Sequence, residues 1–147
     1  MTVPIRRIMP DERDSLAVLR GNLWPHTPAA HQSELDRLFA DPGFAAFVAE
    51  RHGRPVAFAE VRRRAYVPGA AAPDTAFLEG IWVAPDHRRQ GIATALLHRV
   101  AAWARQQGCE DLGSDALLDN TVSHAWHHSM GFSEVERTVS YIRRLAD

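Results

Sequence analysis

A single cysteine, Cys109, means that no internal disulfide can brace this 147-residue chain, in agreement with a reducing compartment. Placed after Gly108 at the end of an expected helix, that thiol reads as a packed side chain rather than a nucleophile. No apolar run is long enough to span a membrane, and Met1-Thr2-Val3-Pro4-Ile5-Arg6-Arg7 lacks the apolar stretch of a secretory leader. A cytoplasmic location without a membrane partner is therefore expected. The formal net charge is only −1, so there is no overall basic field and nucleic acid is not an expected partner. Neither a Gly-x-Gly-x-x-Gly fingerprint nor a Gly-Lys-Ser/Thr loop occurs, which sets aside dinucleotide and Walker-type sites. No linker or internal repeat interrupts residues 1–147. One domain is expected, of a size that buries roughly two-thirds of its unfolded surface.

What is present centres on Ile81-Trp82-Val83-Ala84-Pro85-Asp86-His87-Arg88-Arg89-Gln90-Gly91-Ile92-Ala93-Thr94, an apolar strand, a basic turn and a helix opening on glycine. A helix start carries unpaired N–H groups and partial positive charge, and so offers a seat for phosphate. Gly91 lets backbone approach a ligand closely, while Arg88 and Arg89 place charge where a diphosphate would lie. The alternative is a solvated basic turn ahead of an ordinary helix.

Along the chain, Pro4–Met9 reads as a strand, followed by a helix capped by Asp11 or Asp14 that runs through Leu16, Leu19 and Leu23 to Pro25. A second helix is expected from His31 to Ala40, broken by Asp41-Pro42-Gly43. Three strands follow at Ala45–Arg51, Pro55–Val67 and Thr75–Val83, the first pair joined by a tight turn over Arg51-His52-Gly53-Arg54. An amphipathic helix over Gly91–Gln107 stops at Gly108, and a short strand at Asp111–Ser114, a helix at Thr121–Met130 and paired strands across Val135–Arg144 complete the order. The resulting βααβββαβαββ order predicts an α/β fold, a single mixed sheet with helices on both faces.

Two carboxylates stand out. Glu79 interrupts the apolar strand Ala76-Phe77-Leu78-Glu79-Gly80-Ile81-Trp82-Val83, where simple alternation puts it on the face of Phe77, Ile81 and Val83. A carboxylate there needs compensation, either an ion pair with Arg62 or Arg64 or a substrate amine to bind or deprotonate. Gly80 beside it suggests a β-bulge. Asp115 ends the short strand after the amphipathic helix, where ligands of open sheets usually sit; a turn or helix-capping role is the alternative, with Asp119 and Asn120 as rival caps. His124, His127 and His128 share one helix face, but no carboxylate or thiolate completes a metal set, and no metal is expected.

The spacing Arg88-x-x-Gly91-x-Ala93 resembles the acetyl-CoA-binding motif of the GNAT N-acetyltransferase superfamily, Arg/Gln-x-x-Gly-x-Gly/Ala. The element order is also that of the GNAT fold, a mostly antiparallel sheet whose fourth and fifth strands splay apart around the cofactor. The resemblance implies backbone contacts to acetyl-CoA from Ile81, Trp82 and Val83. It also implies a diphosphate seat at Arg88, Arg89, Gln90, Gly91, Ile92, Ala93 and Thr94, and a further cofactor contact from Asn120. Four residues before Gly131-Phe132, where the pattern commonly has a thiolate-protonating tyrosine, this chain has His127, a residue able to donate a proton near neutral pH; a surface or packing histidine is the alternative.

Leu23-Trp24-Pro25-His26, Tyr66-Val67, Phe77-Leu78-Glu79-Gly80-Ile81, Ser114-Asp115 and Glu134-Val135-Glu136-Arg137 together resemble the aminoglycoside 6′-N-acetyltransferases over nearly the whole chain. That resemblance implies an acceptor site lined by Trp24, His26, Tyr66, Glu79, Asp115 and Glu136, with carboxylates for ammonium groups and aromatic faces for sugars. For Trp24 and Tyr66 ordinary packing is the alternative. Here Trp-Pro and His26 are contiguous, whereas the family commonly spaces them by a residue. The implied reaction is acetyl transfer from acetyl-CoA to the 6′-amine of an aminoglycoside, conferring resistance, with both substrates bound at once, Glu79 as base through water and a homodimeric enzyme. The alternatives are a GNAT enzyme for another amine, such as a polyamine, small metabolite or protein N-terminus, and a non-catalytic acyl-CoA-binding module.

Overall fold

The computed structural model describes residues 3–146. The chain divides into two compact units, one ending at Asp115 and the other beginning at Ala116.

In the first unit, β1 (Ile5–Arg7), β2 (Phe44–Arg51), β3 (Arg54–Arg64), β4 (Thr75–Val83) and β5 (Leu112–Gly113) form one sheet in chain order. All pairs are antiparallel except β4–β5, which is parallel. The expected hairpin between β2 and β3 turns on His52 (φ 52°) and Gly53 (φ 74°), the two left-handed residues that suit the twist of the flanking strands. β2 buries both faces. Its Phe44, Ala46 and Val48 pack with Phe58 under α1 (Arg13–Arg20) and α2 (Pro28–Phe39), through Leu16, Leu19, Leu35 and Leu38. On the opposite face α3 (Ile92–Gln106) buries Ile92, Leu96, Val100 and Trp103, and its Arg99 lies over the ring of Phe47. Each fully buried leucine or phenylalanine contributes about 1.5–3 kcal/mol, so these two apolar layers are the main source of the unit's stability.

Three sequence expectations shift. α1 starts after a 3-10 turn at Pro10–Glu12 and ends at Arg20, with neither Asp11 nor Asp14 capping it; Leu23 and Trp24 lie in the turn beyond, where the Trp24 N–H bonds the Arg20 carbonyl at 2.8 Å. α2 begins earlier than expected because Thr27 caps it through the Ala30 N–H and Pro28 suits its first turn. β3 stops at Arg64, so Tyr66 stands in the following loop.

The bulge suggested by Gly80 is present. Glu60 pairs with Gly80 and Val61 with Leu78, which leaves Glu79 as the extra residue of β4. The extra residue breaks simple alternation. Phe77 and Glu79 share the α1/α2 face, where both meet Arg64, while Leu78 falls to the other side. Glu79 therefore does not share a face with Ile81 and Val83 as the period-two reading had it.

In the second unit α4 (Thr121–Ser129) is capped by Asn120, whose side chain accepts the Ser123 N–H at 3.1 Å. It ends on Gly131 (φ 91°) with a Phe132 N–H to His127 carbonyl bond of 3.0 Å, a Schellman closure that accounts for the Gly-Phe pair. The paired strands expected across 135–144 are not formed. Residues 133–146 carry no helix or strand and are exposed, Tyr141 at 91% and Ile142 at 97%. Their alternating pattern suits a strand, but a strand exists only with a partner for its backbone groups.

Candidate active site

β4 connects two chemically distinct places. β5 pairs with it only at Ala76 and Phe77, so from Leu78 to Val83 the edge of β4 away from β3 has no strand partner among the described residues. This is the splay expected of the sheet. Ile81, Trp82 and Val83 are half-buried there, with Trp82 leaning on Phe58 at 6.5 Å between ring centroids.

From the end of β4 the chain passes through a 3-10 turn at Pro85–His87 into the basic loop. Arg88 donates from Nε to the Val83 carbonyl at 2.8 Å, tying the loop to the strand. Arg89 (φ 61°) and Gly91 (φ 81°) are both left-handed, and a Cβ on Gly91 would meet nothing within 4 Å. The backbone conformation requires the glycine, and the space above it is open. The helical bond from the Ala95 N–H to the Gly91 carbonyl is 3.0 Å, and the amides of Gly91, Ile92 and Ala93 precede it without helical acceptors. Gln90 turns back toward the Asp86 carbonyl, and the buried Ile92 side chain belongs to the core, so Ile92 has only its N–H to offer a ligand. Open backbone donors, a helix start and two arginines fit a diphosphate.

Of the acceptor candidates, Glu79, Trp24 and, through Arg64, Asp115 meet at the bulge. Arg64 grips Glu79 in a two-point pair of 2.8 and 2.7 Å, choosing Arg64 over Arg62, which reaches Asp41 instead. The Arg64 guanidinium also lies 3.7 Å from the centroid of Phe77. The Glu79 hydrogen bonds are the largest of the influences that hold Arg64 in its charged form, and Asp115 adds to them electrostatically. Glu79, Arg64 and Asp115 thus form one electrostatic group. Trp24 lies on Gly80: a Cβ there would come 2.5 Å from its ring. His26 is exposed beside the His31 ring, 5.6 Å between centroids, and Tyr66 is 73% exposed in the loop after Arg64.

The remaining candidates lie in the second unit. Asn120 uses its Oδ1 as the helix cap, which leaves its NH2 group as the free end for any ligand. His127 sits 2.7 Å from the Ser123 carbonyl through Nδ1, and since a carbonyl only accepts, Nδ1 carries a proton. Its ring packs with Trp126 and Phe132. Glu136 is exposed in the C-terminal stretch without helix or strand, where neighbouring Glu134 and Arg137 pair with each other. Among the described residues no group of three or more histidine, cysteine, aspartate or glutamate side chains could hold a metal ion, and no helix is long and apolar enough to cross a membrane.

One further cluster carries no sequence motif. Arg20, His31 and Glu60 are all buried beneath Trp24. The signal was present: Glu60 interrupts Val56-Ala57-Phe58-Ala59-Glu60-Val61 just as Glu79 interrupts β4.

The open strand edge, the helix-start seat and the carboxylates near the bulge fit an acyl-CoA-dependent acyltransferase, and the model of the acetyltransferase (GNAT) family matches residues 7–132. The chain belongs to the GNAT acetyltransferase family and is an acyltransferase. Its relatives within that family carry a narrower name. It is 44% identical to the aminoglycoside N(6′)-acetyltransferase type 1 of Serratia marcescens, covering 92% of this chain and 94% of that protein. The enzyme of the same name from Acinetobacter haemolyticus is 39% identical, covering 86% and 88%. The solved structure of AAC(6′)-Iy in complex with the bisubstrate analogue CoA-S-monomethyl-acetylneamine superposes with a TM-score of 0.91 at 33% identity, covering 99% of this chain and all of that one.

Proposed function

We propose that this protein transfers the acetyl group of acetyl-CoA to the 6′-amine of aminoglycosides, as a cytoplasmic resistance enzyme built as one catalytic domain. The observation that carries the proposal is the continuity of β4, whose bulge holds Glu79 and whose unpaired edge leads into the Gly91 turn. The names of the relatives support the acceptor, and the family match, which runs across both units, supports the single domain.

The β4 edge at Ile81–Val83 and the amides and arginines of 88–94 are the groups that would hold acetyl-CoA, which when bound supplies an activated thioester acyl group. Trp24, His26, Tyr66 and the carboxylates of Glu79, Asp115 and Glu136 receive the polycationic acceptor. Glu79, through water, takes a proton from the 6′-ammonium, so that the neutral nitrogen can attack the acyl carbon. A C–N bond forms as the C–S bond breaks, the attacking nitrogen sheds its second proton to water, which makes good the one His127 gives to sulfur, and backbone N–H groups of β4 offset the charge that develops on the carbonyl oxygen. His127 is assigned to protonate the departing sulfur. Since Nδ1–H is engaged by the Ser123 carbonyl, Nε2 is the ring atom through which that proton would pass.

Release of CoA is expected with aminoglycosides bearing a 6′-amine and not with matched 6′-hydroxyl members. Equal release with both would overturn the regiochemistry, and release with neither would move the acceptor to another amine. The exposed apolar run Val135, Val139, Tyr141 and Ile142 supports a homodimer in which a second copy provides the missing strand partner. Equilibrium sedimentation is expected to return twice the chain mass; the mass of one chain at micromolar concentration would refute it.

A further inference from the structure

We propose that Arg20, His31 and Glu60 form a buried positioning unit that holds the Trp24 ring on Gly80 and so shapes the acceptor side of the Glu79 bulge. The inference rests on the acceptor site assigned above and extends it to three residues that touch no substrate.

All three are nearly sealed from solvent, at 4%, 1% and 1% exposure. Charged side chains are rarely buried so completely without a partner, and here the partners lead to one residue. Arg20 Nε lies 2.8 Å from Glu60 Oε2, a charge contact outside hydrogen-bonding alignment. Its other nitrogens reach His31 Nδ1 at 3.2 Å and Glu34 at 3.3 Å. Guanidinium only donates, so Nδ1 accepts; the His31 proton is therefore on Nε2, which donates to the Trp24 carbonyl at 3.0 Å. The Arg20 guanidinium also stands 4.9 Å from the Trp24 ring centroid, and the same ring meets Phe58 edge-on at 6.1 Å.

Trp24 is thus held at its carbonyl by His31 and at its ring by Arg20. On its other side the ring occupies the space a side chain at position 80 would need. Glu60 closes the arrangement from below, because it is the β3 partner of Gly80 at the bulge. The charged and titratable groups around Glu60 are Arg20 from α1, Glu34 from α2 and Glu79 from β4, with His31 joined through Arg20. Burial pushes the Glu60 carboxyl up to about 7 against the opposing pull of Arg20, so the charge of the unit changes within the working range of pH.

The test uses Glu60→Gln, which keeps the shape and removes the charge, and Gly80→Ala, which displaces the ring from the other side without touching any charge. The Trp24 indole N–H signal is identified among the four tryptophans by its loss in Trp24→Phe. In Glu60→Gln that signal is expected to move, and its wild-type shift with pH near 7 to vanish, while the other three indoles stay in place. In both variants KM for a 6′-amino aminoglycoside should rise about five-fold or more with KM for acetyl-CoA unchanged. An unmoved Trp24 indole in Glu60→Gln, or equal rises in both KM values, would overturn the positioning role. A wild-type enzyme that acetylates no aminoglycoside would refute the acceptor assignment instead, and the indole signal would still decide the positioning.

Discussion

Glu79→Gln is expected to lower kcat about 100-fold or more while leaving KM for acetyl-CoA and the melting temperature close to wild type. The substitution is nearly isosteric and leaves the carbonyl oxygen of the amide to accept one of the two Arg64 bonds, while the bulge keeps its place through the strand pairing. What disappears is the negative charge and the capacity to take a proton. The two-point Arg64 pair fixes the carboxylate plane. Each carboxylate oxygen still has a lone pair for an ammonium or a water, because a carboxylate accepts more bonds than the two that Arg64 makes. Steady-state kinetics separates the possible roles. A large fall in kcat identifies the base, whereas a rise in acceptor KM at constant kcat would reduce Glu79 to an ammonium ligand and return the proton to bulk water.

Arg20→Ala is expected to cost about 3–5 kcal/mol of folding stability above neutral pH, and much less in mild acid. The sign follows from Glu60. Its folded carboxyl titrates near 7, above the usual 4.5, chiefly because burial penalises the charged form. Between those values the folded chain binds more protons than the unfolded one, so the Glu60 contribution to stability falls as pH rises through that window. Above it the wild type keeps Glu60 charged against Arg20, and removal of Arg20 strands a carboxylate with no counter-charge. Below it Glu60 is neutral and needs no counter-charge. Urea unfolding at pH 5.5 and 8.5 checks this: a similar loss at both would mean that Arg20 acts by packing over Trp24 and not by charge.

Much of the fold was legible because its signals are local. His52-Gly53, Gly108 and the spacing of Ile92, Leu96, Val100 and Trp103 each determine their own turn, stop or buried face. Glu79 was legible because a charge in an apolar strand demands a reason, and Gly80 announced the bulge. What the bulge did to the facing of Phe77 depends on register with β3, which alternation along one strand cannot contain. Glu60 passed the same test as Glu79, but no motif adjoins it, and its partners come from two helices brought over the sheet by folding. Leu23 continued the helical spacing of Leu16 and Leu19, yet the chain leaves the helix at Gly21 to swing Trp24 over Gly80. The stretch 133–146 failed for a different reason. Its pattern describes how a strand would face, and not whether the chain contains the strand it needs.

The ion pairs around the bulge and beneath Trp24 share one more property. All 17 basic side chains of this protein are arginine, including Arg20, Arg62 and Arg64. A guanidinium stays protonated at any pH at which an amine acceptor reacts, and it does not attack a thioester. A lysine at position 64 could make a similar pair with Glu79, but it would also bring an amine beside that carboxylate. With no lysine anywhere in the chain, no lysine amine is present to compete with the substrate for the acyl donor.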